Sequence, residues 1–453
     1  MHDTQSITID LLRLHELNPE RYPYLLESVA QGTAQSRYDI LFAFPQQSLQ
    51  LNTFAGLQGP EGLPDDGFLS ALNQWFQQEF CSNESDHMLP FHGGWFVYMA
   101  YELVSEIEPG LELPQAGDEQ TIAFAARCPA AVIRDHQLNL VYLFAEDSRS
   151  DLLQAMKSDL AKICDENVKP ASNTVKLTQI IEEDPQRYCR AVERIKDYII
   201  EGDVFQVNLS RIWKAKLDPQ VTAIDLYKKL RINNPAPFAC FAQLPDMTVI
   251  SSSPERLVCI KDNVVETRPI AGTRPRSDNN EEDRRLSDEL LAHPKELAEH
   301  IMLIDLERND LGRVCQPGTI QVDELMSLES YTHVHHIVSN VRGECRPGIT
   351  PVDVIKAVFP GGTITGCPKV RCMEIIAELE QQPRGAYTGS MGYINCDGSM
   401  DLNILIRTLL KSDDVISFRA GAGIVYDSDP QHELDETRAK ALGLLRALSV
   451  ESA

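Results

Sequence analysis

The sequence predicts an α+β fold in which antiparallel sheets carry helices on one side. Strand-like and helical segments show no sustained strand–helix–strand alternation, which a doubly wound parallel sheet requires. Residues 235–273 alternate short β-branched runs with turns, a pattern typical of a meander. No repeat of 20–50 residues is visible, which argues against a solenoid or a propeller.

Composition narrows the functional classes. The 453 residues carry 67 acidic and 42 basic side chains, a net charge of −25, which argues against binding to nucleic acid or to a membrane surface. An anionic substrate would therefore need locally gathered arginine, lysine or a metal ion. Eleven cysteines are scattered without a CxxC pair, and the N-terminus lacks a signal-peptide pattern, so we expect a cytoplasmic protein.

The first part of the chain predicts strands and a helix. Residues 36–45 are typical of a strand that a proline ends, and residues 128–135 and 138–147 of a hairpin. A serine start and apolar residues at helical spacing predict a helix over 148–166.

A polar segment divides the chain. Residues 167–176 contain a proline and are the best linker candidate. We therefore expect an N-terminal region, 1–166, and a second region, 180–450, as parts of one intertwined fold. Beyond the linker, residues 185–203 predict an amphipathic helix and residues 204–217 a strand.

Residues 360–380 combine a glycine-rich turn with the start of a helix. Gly361 and Gly362 permit backbone angles that a β-carbon forbids, and Pro368 suits the first turn of a helix. Unpaired N–H groups at this helix start, with the charge of Lys369, form a candidate anion site; the alternative is a tight turn that caps an ordinary helix. The apolar residues expected on the buried helix face are Val370, Met373, Ile376 and Leu379.

Two predicted helices each carry a carboxylate pair. Glu296 and Glu299 lie on a helix over 294–310, and Glu433 and Glu436 lie on a helix near the C-terminus, three residues apart in both cases. Together they could hold a hard cation such as Mg²⁺, which prefers carboxylate, water and oxyanion ligands. The alternative is that both pairs are solvated faces, which arise often in an acidic chain.

Arginine and histidine supply further polar candidates. Three arginines within nine residues are typical either of a carboxylate clamp or of a solvated loop: Arg268, Arg274 and Arg276. His336 has apolar neighbours in a strand-like segment, so a role in proton transfer competes with an ordinary core position. Gly421 and Gly423 would let a ligand approach the backbone closely, unless they mark a bulge.

The order of the motifs resembles a known family. Over residues 180–450 the chain resembles the chorismate-utilising enzymes, which include anthranilate synthase component I, aminodeoxychorismate synthase component I, isochorismate synthase and salicylate synthase. Near the N-terminus, LLES, SRYDILFAFP and PFHGG resemble the two aminating members. The motifs that carry the main resemblance are SPERL, RPIAGTRPR, ELAEHIMLIDLERNDLGRV, HVHHIVSNVRG, GGTITGCPKVRCMEII, YTGSMGY, LNILIRT and AGAGIVYDSDPQHELDETRAK.

The resemblance implies a fold, a cofactor and a set of site residues. The fold is a large sandwich of mainly antiparallel sheets with helices packed outside. The implied ligands of Mg²⁺ are Glu299 and Glu436, with Glu296 and Glu433 beside them. Residues that resemble the family's substrate contacts are Tyr387, Arg407, Gly421 and Gly423 for a carboxylate, and Thr365, Gly366 and Lys440 for the ring and the enolpyruvyl group. Residues that resemble its proton-transfer and ring-contact positions are Glu255, Thr273 and His336.

Ala271 occupies the position that bears most directly on the product. Isochorismate and salicylate synthases resemble one another in carrying lysine there as a base for water, and many aminodeoxychorismate synthases also carry lysine, as a nucleophile. Anthranilate synthases carry alanine and let ammonia attack directly, so Ala271 favours anthranilate. Thr365 and residues 36–45 look closer to aminodeoxychorismate synthase, which is the product assignment that we predict; a non-catalytic chorismate-binding homologue is a third hypothesis.

The resemblance also implies a partner. The sequence contains no glutaminase nucleophile motif such as GxCxG, so ammonia would come from free solution or from a separate glutamine amidotransferase subunit. Ser28, Asn234 and Pro235 lie at positions that resemble the tryptophan pocket of the family, a feedback site in anthranilate synthase.

The predicted metal ligands generate a first test. Replacing Glu299 or Glu436 with glutamine should abolish Mg²⁺-dependent turnover of chorismate while leaving the fold intact, because an amide cannot replace the carboxylate charge. Turnover and circular dichroism would be measured on the same preparations. Unchanged turnover in both variants would contradict the assignment of these two ligands.

Overall fold

The computed structural model describes residues 2–5, 9–30, 36–81, 88–117, 119–165, 175–277, 279–330 and 334–450. Over these residues the chain folds into two large antiparallel sheets with helices on their outer faces, which confirms the predicted α+β class. No helix within these ranges is long and apolar enough to cross a lipid bilayer.

The helices and strands follow in chain order. The α-helices are α1 (Leu12–Leu17), α2 (Phe68–Glu79), α3 (Leu152–Asp165), α4 (Pro185–Glu201), α5 (Ala223–Asn233), α6 (Asn280–Ala292), α7 (Pro294–Gly312), α8 (Pro351–Val358), α9 (Lys369–Glu380) and α10 (Pro430–Ala447). Short 3₁₀ helices span Tyr101–Glu106, Asp147–Arg149 and Gly362–Ile364. The strands are β1 (His2–Gln5), β2 (Tyr24–Glu27), β3 (Tyr38–Ala43), β4 (Ser48–Asn52), β5 (Gly56–Gln58), β6 (Gly94–Met99), β7 (Thr121–Cys128), β8 (Ala130–Asp135), β9 (Leu140–Ala145), β10 (Leu177–Glu182), β11 (Gln206–Leu217), β12 (Phe238–Gln243), β13 (Thr248–Ser253), β14 (Arg256–Lys261), β15 (Val264–Thr267), β16 (Ile270–Pro275), β17 (Gln321–Ser330), β18 (Val334–Glu344), β19 (Gly366–Cys367), β20 (Ser390–Asn395), β21 (Met400–Ile404), β22 (Thr408–Ser412) and β23 (Val415–Ile424).

Each sheet takes strands from both ends of the chain. The first sheet has the order β1-β9-β8-β3-β2-β12-β13-β22-β23-β11-β10, with β19 paired to β11. The second has the order β16-β18-β15-β14-β21-β20-β6-β7-β4-β5, with β17 paired to β18. The predicted hairpin forms as β8 and β9, in the register Val132 opposite Leu143.

The two sheets pack face to face, and the side chains of strand β6 pack into a different hydrophobic cluster on each of its faces. Its six residues are all buried. Phe96 and Tyr98 point into an aromatic layer shared with the first sheet, where Phe96 stacks on Tyr24 at 4.1 Å between ring centroids. Trp95 and Val97 point the other way, against α2 and α8. Burial on both faces explains why this strand lacks the alternation of apolar and polar residues that a half-exposed strand shows.

Local sequence sets where the main helices begin. The Asp184 side chain accepts a hydrogen bond from the Gln186 amide at 3.0 Å, and Pro185 opens α4. Asp429 caps α10 in the same way, through the His432 amide at 2.9 Å. An N-cap carboxylate followed by proline satisfies the unpaired N–H groups of a first helical turn.

One expectation about a helix face was partly wrong. Helix α9 begins at Lys369, one residue after Pro368, and Val370 is exposed while Met373 and Ile376 are buried. The first turn of this apolar stripe therefore lies outside the packed core.

At the end of α9, the carboxylate of Glu380 lies fully buried between two guanidinium groups. It accepts hydrogen bonds at 2.7 Å from Nη2 of Arg384 and from Nη2 of Arg419, and at 2.8 Å from the amide and the hydroxyl of Ser210. Burial would raise the pKa of Glu380, but the two arginines outweigh burial and lower it below its ordinary value. The carboxylate is therefore ionised at neutral pH.

Arg384 extends this network to the glycine-rich turn. Its guanidinium donates to the backbone carbonyls of Ile364 at 3.2 Å and Asn208 at 2.7 Å, and to Thr388 Oγ1 at 3.2 Å. One side chain thereby joins strand β11, the Gly362–Ile364 turn and the segment that follows α9.

The network predicts a large effect on stability. Replacing Glu380 with glutamine should lower the free energy of unfolding by about 3–5 kcal/mol, because two buried guanidinium groups lose their counter-charge. Denaturant titration would measure the loss. Glu374→Gln is the matched control, since Glu374 lies on the same helix in an exposed pair with Arg371 and should change stability by at most about 1 kcal/mol. Equal effects of both substitutions would contradict a special role for Glu380.

Candidate active site

Three predicted site residues from different elements are linked by charge, and one of them contacts the Gly362–Ile364 turn. Glu255 lies between β13 and β14, and its Oε1 accepts a hydrogen bond from Thr363 Oγ1 at 2.8 Å. Arg407 lies between β21 and β22, and its charge acts on both Glu255 and His336 of β18. The structure therefore brings together a carboxyl, a guanidinium and an imidazole.

Glu255 can hold a proton near neutral pH. Only 7% of its surface is exposed, and burial raises the pKa of Glu255 to about 7. The hydrogen bond from Thr363 and the charges of Arg407 and Lys440 oppose that shift without cancelling it. A carboxyl in this range is suited to general acid catalysis, because it is protonated yet acidic enough to give the proton away.

His336 is neutral in this environment. Burial, followed by the charge of Arg407, lowers the pKa of His336 to about 4. Its Nδ1 lies 3.4 Å from the backbone carbonyl of Gly272. The imidazole can therefore donate or accept a hydrogen bond at neutral pH but does not add a positive charge.

Arg407 is held in the left-handed region, with a φ of +52°. Its half-buried guanidinium forms no hydrogen bond or ion pair with any residue in the described ranges, and Glu255 acts on it only through charge. Burial lowers the pKa of Arg407, although an arginine stays protonated. A guanidinium with unused donors in a sheltered position is a candidate binder of a carboxylate.

Strand β23 presents its backbone closely to neighbouring polar groups. A β-carbon on Gly421 would lie 2.6 Å from the Tyr387 hydroxyl and 2.6 Å from the Leu209 carbonyl oxygen. Asn208 Oδ1 and Gln206 Oε1, on the adjacent strand β11, are buried without a hydrogen-bond partner among the described residues. Buried polar atoms are normally paired, so these two indicate a position that a ligand or water completes.

Lys440 reaches the same strand from α10. Its Nζ donates to the Gly421 carbonyl at 3.0 Å and forms an ion pair with Glu436 at 2.7 Å. Burial raises the pKa of Tyr387 to about 12, so its hydroxyl remains a neutral donor.

The predicted anion site at the start of α9 is only partly supported. Thr365 is fully buried, and its hydroxyl donates to the Gly361 carbonyl at 3.0 Å. Gly366 has a φ of +132°, and a β-carbon there would meet the Gln206 carbonyl oxygen at 2.1 Å. The charge of Lys369 is compensated within the protein, because its ammonium group contacts the buried Asp310 carboxylate. The turn thus seats Thr365 and Gly366 against β11 but carries no uncompensated cation from Lys369.

The four predicted metal ligands are not gathered into one cluster. Among the described residues, no three acidic, histidine or cysteine side chains lie close enough to hold a metal ion by themselves. Glu296 forms an ion pair with Arg274 at 3.2 Å. Glu433 and Glu436 on α10 both act electrostatically on the Tyr188 hydroxyl, which is buried and unpaired within the described part.

The donor set still fits Mg²⁺. This ion is commonly held by one or two protein carboxylates and completed by water and substrate oxygens. Glu299 on α7, which is half-buried, and Glu436 on α10 are the residues that would hold it. Their assignment as ligands stays a prediction.

Ala271 lies on β16 opposite Ile337 of β18 and is 9% exposed. A bulge separates it from Thr273. The backbone of Thr273 pairs with that of His336, but its side chain lies outside the described part of the structure, so its predicted contact with substrate stays untested.

Comparisons with known proteins identify the family of this chain. A family model for chorismate binding enzymes matches residues 24–446. The chain is 46% identical to an anthranilate synthase component I-like protein of Synechocystis, over 80% of this chain and 73% of that one. It is 42% identical to aminodeoxychorismate synthase component 1 of Bacillus subtilis, over 84% and 82% of the two chains. The chain belongs to the chorismate-binding enzyme family.

A solved structure supports the same assignment. Anthranilate synthase component I from Streptococcus pneumoniae superposes with a TM-score of 0.80 at 30% identity, over 91% of this chain and 93% of that one. The two-sheet architecture of this chorismate-binding chain is therefore the fold of that enzyme.

The residues predicted to resemble a tryptophan pocket are engaged within the protein. The Ser28 hydroxyl donates to the backbone carbonyls of Tyr38 at 3.0 Å and Pro237 at 3.3 Å. The Asn234 side chain donates to the Ser252 carbonyl at 3.4 Å, and Pro235 follows it before β12. These bonds fix the joint between β2 and β12; tryptophan binding here stays a prediction.

Of the two interpretations left open for Arg268, Arg274 and Arg276, the structure does not favour the carboxylate clamp. Arg268 forms an ion pair with Glu329 at 2.6 Å, and Arg276 with Asp283 at 2.8 Å, while Arg274 pairs with Glu296. Each guanidinium already has a carboxylate partner within the chain, so these arginines hold β16 to its surroundings. Of the histidines near His336, His335 pairs with Asp283 at 3.0 Å, and His333 lies outside the described residues.

Three polar residues of the site were missed in the sequence. Thr363 orients Glu255, and Asn208 and Gln206 carry the unpaired oxygens beside β23. Thr363 lies inside the glycine-rich motif, so the sequence alone could have indicated it as a site residue. Asn208 and Gln206 carry no such signal, because only the pairing of β11 with β23 brings them to the site.

The tight approach at β23 yields a paired prediction. Gly421→Ala should lower kcat/KM for chorismate on the order of 10²-fold, because the new methyl group meets a backbone carbonyl and displaces the strand. Gly423→Ala should cost less, since its methyl group meets only the movable end of Gln206 at 2.2 Å. Steady-state kinetics on both variants would test this order, and a larger loss for Gly423→Ala would contradict it.

Proposed function

We propose that this chorismate-binding protein aminates chorismate as aminodeoxychorismate synthase component I. Ammonia would replace the C4 hydroxyl to give 4-amino-4-deoxychorismate. Thr365 and the strand over residues 36–45 support this product through their resemblance to that enzyme, and the Bacillus subtilis relative carries that name.

The observation that carries amination is the alanine at position 271. This position lies on the buried strand β16 and offers no amine to activate water. Ammonia needs no such base, because its nitrogen lone pair is available in the neutral molecule. Water-using reactions on chorismate therefore lack the group that they require here.

The residues of this chain supply binding and proton transfer in the proposed reaction. Arg407, Tyr387 and the N–H groups near Gly421 would hold a substrate carboxylate. A new bond forms between the ammonia nitrogen and the ring, and the C4 hydroxyl departs as water with the proton that Glu255 donates. His336 contributes a neutral hydrogen bond beside the ring. When bound, Mg²⁺ supplies charge stabilisation at the substrate carboxylate.

Ammonia would reach this site from a second protein. The component I designation of the relatives implies a second component, and no glutaminase nucleophile motif is present in the sequence. We propose a glutamine amidotransferase subunit as that partner. Free ammonium salt should replace it in a purified system.

A second candidate function is anthranilate synthase component I. Ala271 favours it directly, since the resemblance places alanine there in anthranilate synthases. The Streptococcus pneumoniae structure carries that name, and the Synechocystis relative is named as a protein like it. In that reaction ammonia attacks C2 and pyruvate is released.

Product analysis separates the two candidates. Purified protein would be given chorismate, Mg²⁺ and ammonium salt, and the product would be identified by mass and fluorescence. We expect 4-amino-4-deoxychorismate, which yields p-aminobenzoate only after a separate lyase is added. Fluorescent anthranilate with an equal amount of pyruvate would establish the second candidate instead. No consumption of chorismate would contradict both and leave a non-catalytic binding protein.

A further inference from the structure

A cavity of about 130 Å³ borders the aromatic layer between the two sheets. Its lining runs from Tyr98 and Met247, which are buried, to Ser105 and Gln115, which are exposed, so the cavity opens to solvent. Among the described residues, none of those assigned above to the candidate active site lines it. An engineered cavity of about 150 Å³ binds benzene, so this one can hold a molecule of about one ring.

The Tyr98 side chain lines this cavity and carries an unpaired polar group. Its hydroxyl is fully buried and has no hydrogen-bond partner in the described ranges. The charges of Glu102 and Asp246 act on the hydroxyl, but Asp246 is already bound to the Thr121 amide at 2.9 Å and to its hydroxyl at 2.6 Å. Since buried hydroxyls are normally paired, Tyr98 indicates a polar ligand that reaches the buried part of the cavity.

Glu102 supplies a second polar group to the cavity. It lies in the 3₁₀ helix Tyr101–Glu106 and is half-buried. Its Oε1 accepts a hydrogen bond from the Arg384 amide at 2.7 Å, and its Oε2 accepts one from the Gly385 amide at 3.1 Å. A carboxylate has about four acceptor positions, so Glu102 can bind a further donor without releasing either amide.

The charge of the lining selects the sign of the ligand. No lysine, arginine or histidine of the described residues lines the cavity, whereas Glu102 does. Burial raises the pKa of Glu102, so a cation beside it would favour the ionised carboxylate. An anion such as chorismate would find no counter-charge here, in contrast to the candidate active site with Arg407. The apolar part of the lining includes Leu111, Ile122 and Leu410.

We propose that this cavity is a second ligand site, which takes a small cationic amine with an apolar body of about one ring. The ammonium group donates to the Glu102 carboxylate and to the Tyr98 oxygen, and the apolar body packs against the leucine and isoleucine side chains of the lining. Such a site is independent of the reaction that the chain catalyses on chorismate.

A calorimetric titration tests the predicted ligand class. Benzylamine is the probe, because it is cationic at neutral pH, and benzyl alcohol is its neutral counterpart of nearly the same shape. The whole 453-residue chain, without chorismate, should bind benzylamine saturably at one site and benzyl alcohol at least about tenfold more weakly. Absence of saturable benzylamine binding, or equal affinity for the alcohol, overturns the proposal.

Three variants test the two polar groups. Tyr98→Phe removes only an unpaired hydroxyl, so the fold should persist while benzylamine binds about three- to tenfold more weakly. Glu102→Gln should weaken binding by more than about tenfold, because the amide lacks the carboxylate charge. Glu112→Gln is the matched control, since Glu112 is exposed and lies outside the lining, and it should leave the affinity unchanged.

The Tyr98→Phe variant keeps the test decisive if Glu102→Gln does not fold. An affinity that Tyr98→Phe leaves unchanged, or that Tyr98→Phe and Glu112→Gln lower equally, overturns the proposal.

Hydrogen exchange locates the bound amine. Pro383 and Gly385 line the cavity, and Glu102 holds the amides of Arg384 and Gly385. A cation that stabilises the Glu102 carboxylate strengthens these hydrogen bonds, so saturating benzylamine should slow exchange of both amides. Mass spectrometry of a peptide that covers residues 383–387 would measure the rates. Unchanged exchange at saturation would mean that the amine binds elsewhere, which overturns the assignment to this cavity.

Discussion

The buried carboxylate of Glu380 is the constraint on which the site depends. It forms ion pairs with Arg384 and Arg419, and Arg384 in turn binds backbone carbonyls of β11 and of the glycine-rich turn. A buried charge cluster of this kind tolerates few alternative geometries, because each displaced group would lose its partner in a medium of low polarity. The network thus holds the backbone of the Gly362–Ile364 turn, while the Thr363 side chain of the same turn binds Glu255 in the candidate site.

The arginines near the candidate site differ in whether a carboxylate of the protein pairs with them. Arg268, Arg274 and Arg276 are matched to carboxylates of the protein, whereas Arg407 keeps its donors unused. Arg407 is therefore the arginine that could bind an anionic substrate, because its guanidinium has no carboxylate partner in the described part of the chain. The net charge of the chain does not show this difference, because it counts arginines with and without a carboxylate partner in the same way.

Sequence patterns predicted where strands and helices form better than they predicted which side chains contact one another. The strand over 204–217 forms as Gln206–Leu217, and the predicted hairpin forms as β8 and β9, because periodicity reports which face of a segment is apolar. The motif resemblance likewise identified Glu255, His336 and Arg407, which the structure brings together.

What the sequence could not provide was the partner of each charge. Lys369 and the three arginines lie in motifs that could bind an anion, yet all four contact carboxylates of the protein itself. Three of these carboxylates lie 22 to 61 residues away in the chain. Pairings such as Lys369 with Asp310 arise from the packing of α7 against the segment before α9. Local spacing contains no information about such contacts, and the same is true of the approach of Asn208 to β23.

The interleaved order of the strands also bears on how the chain reaches its native state. Trp95 of β6 pairs with Ile394 of β20, and Leu25 of β2 pairs with Phe241 of β12. During synthesis, β2 and β6 therefore emerge long before their partner strands β12 and β20. Their edges stay unpaired until those partners have been synthesised. Folding should be largely post-translational and slow, and nascent chains interrupted before residue 390 should be prone to aggregation and dependent on chaperones.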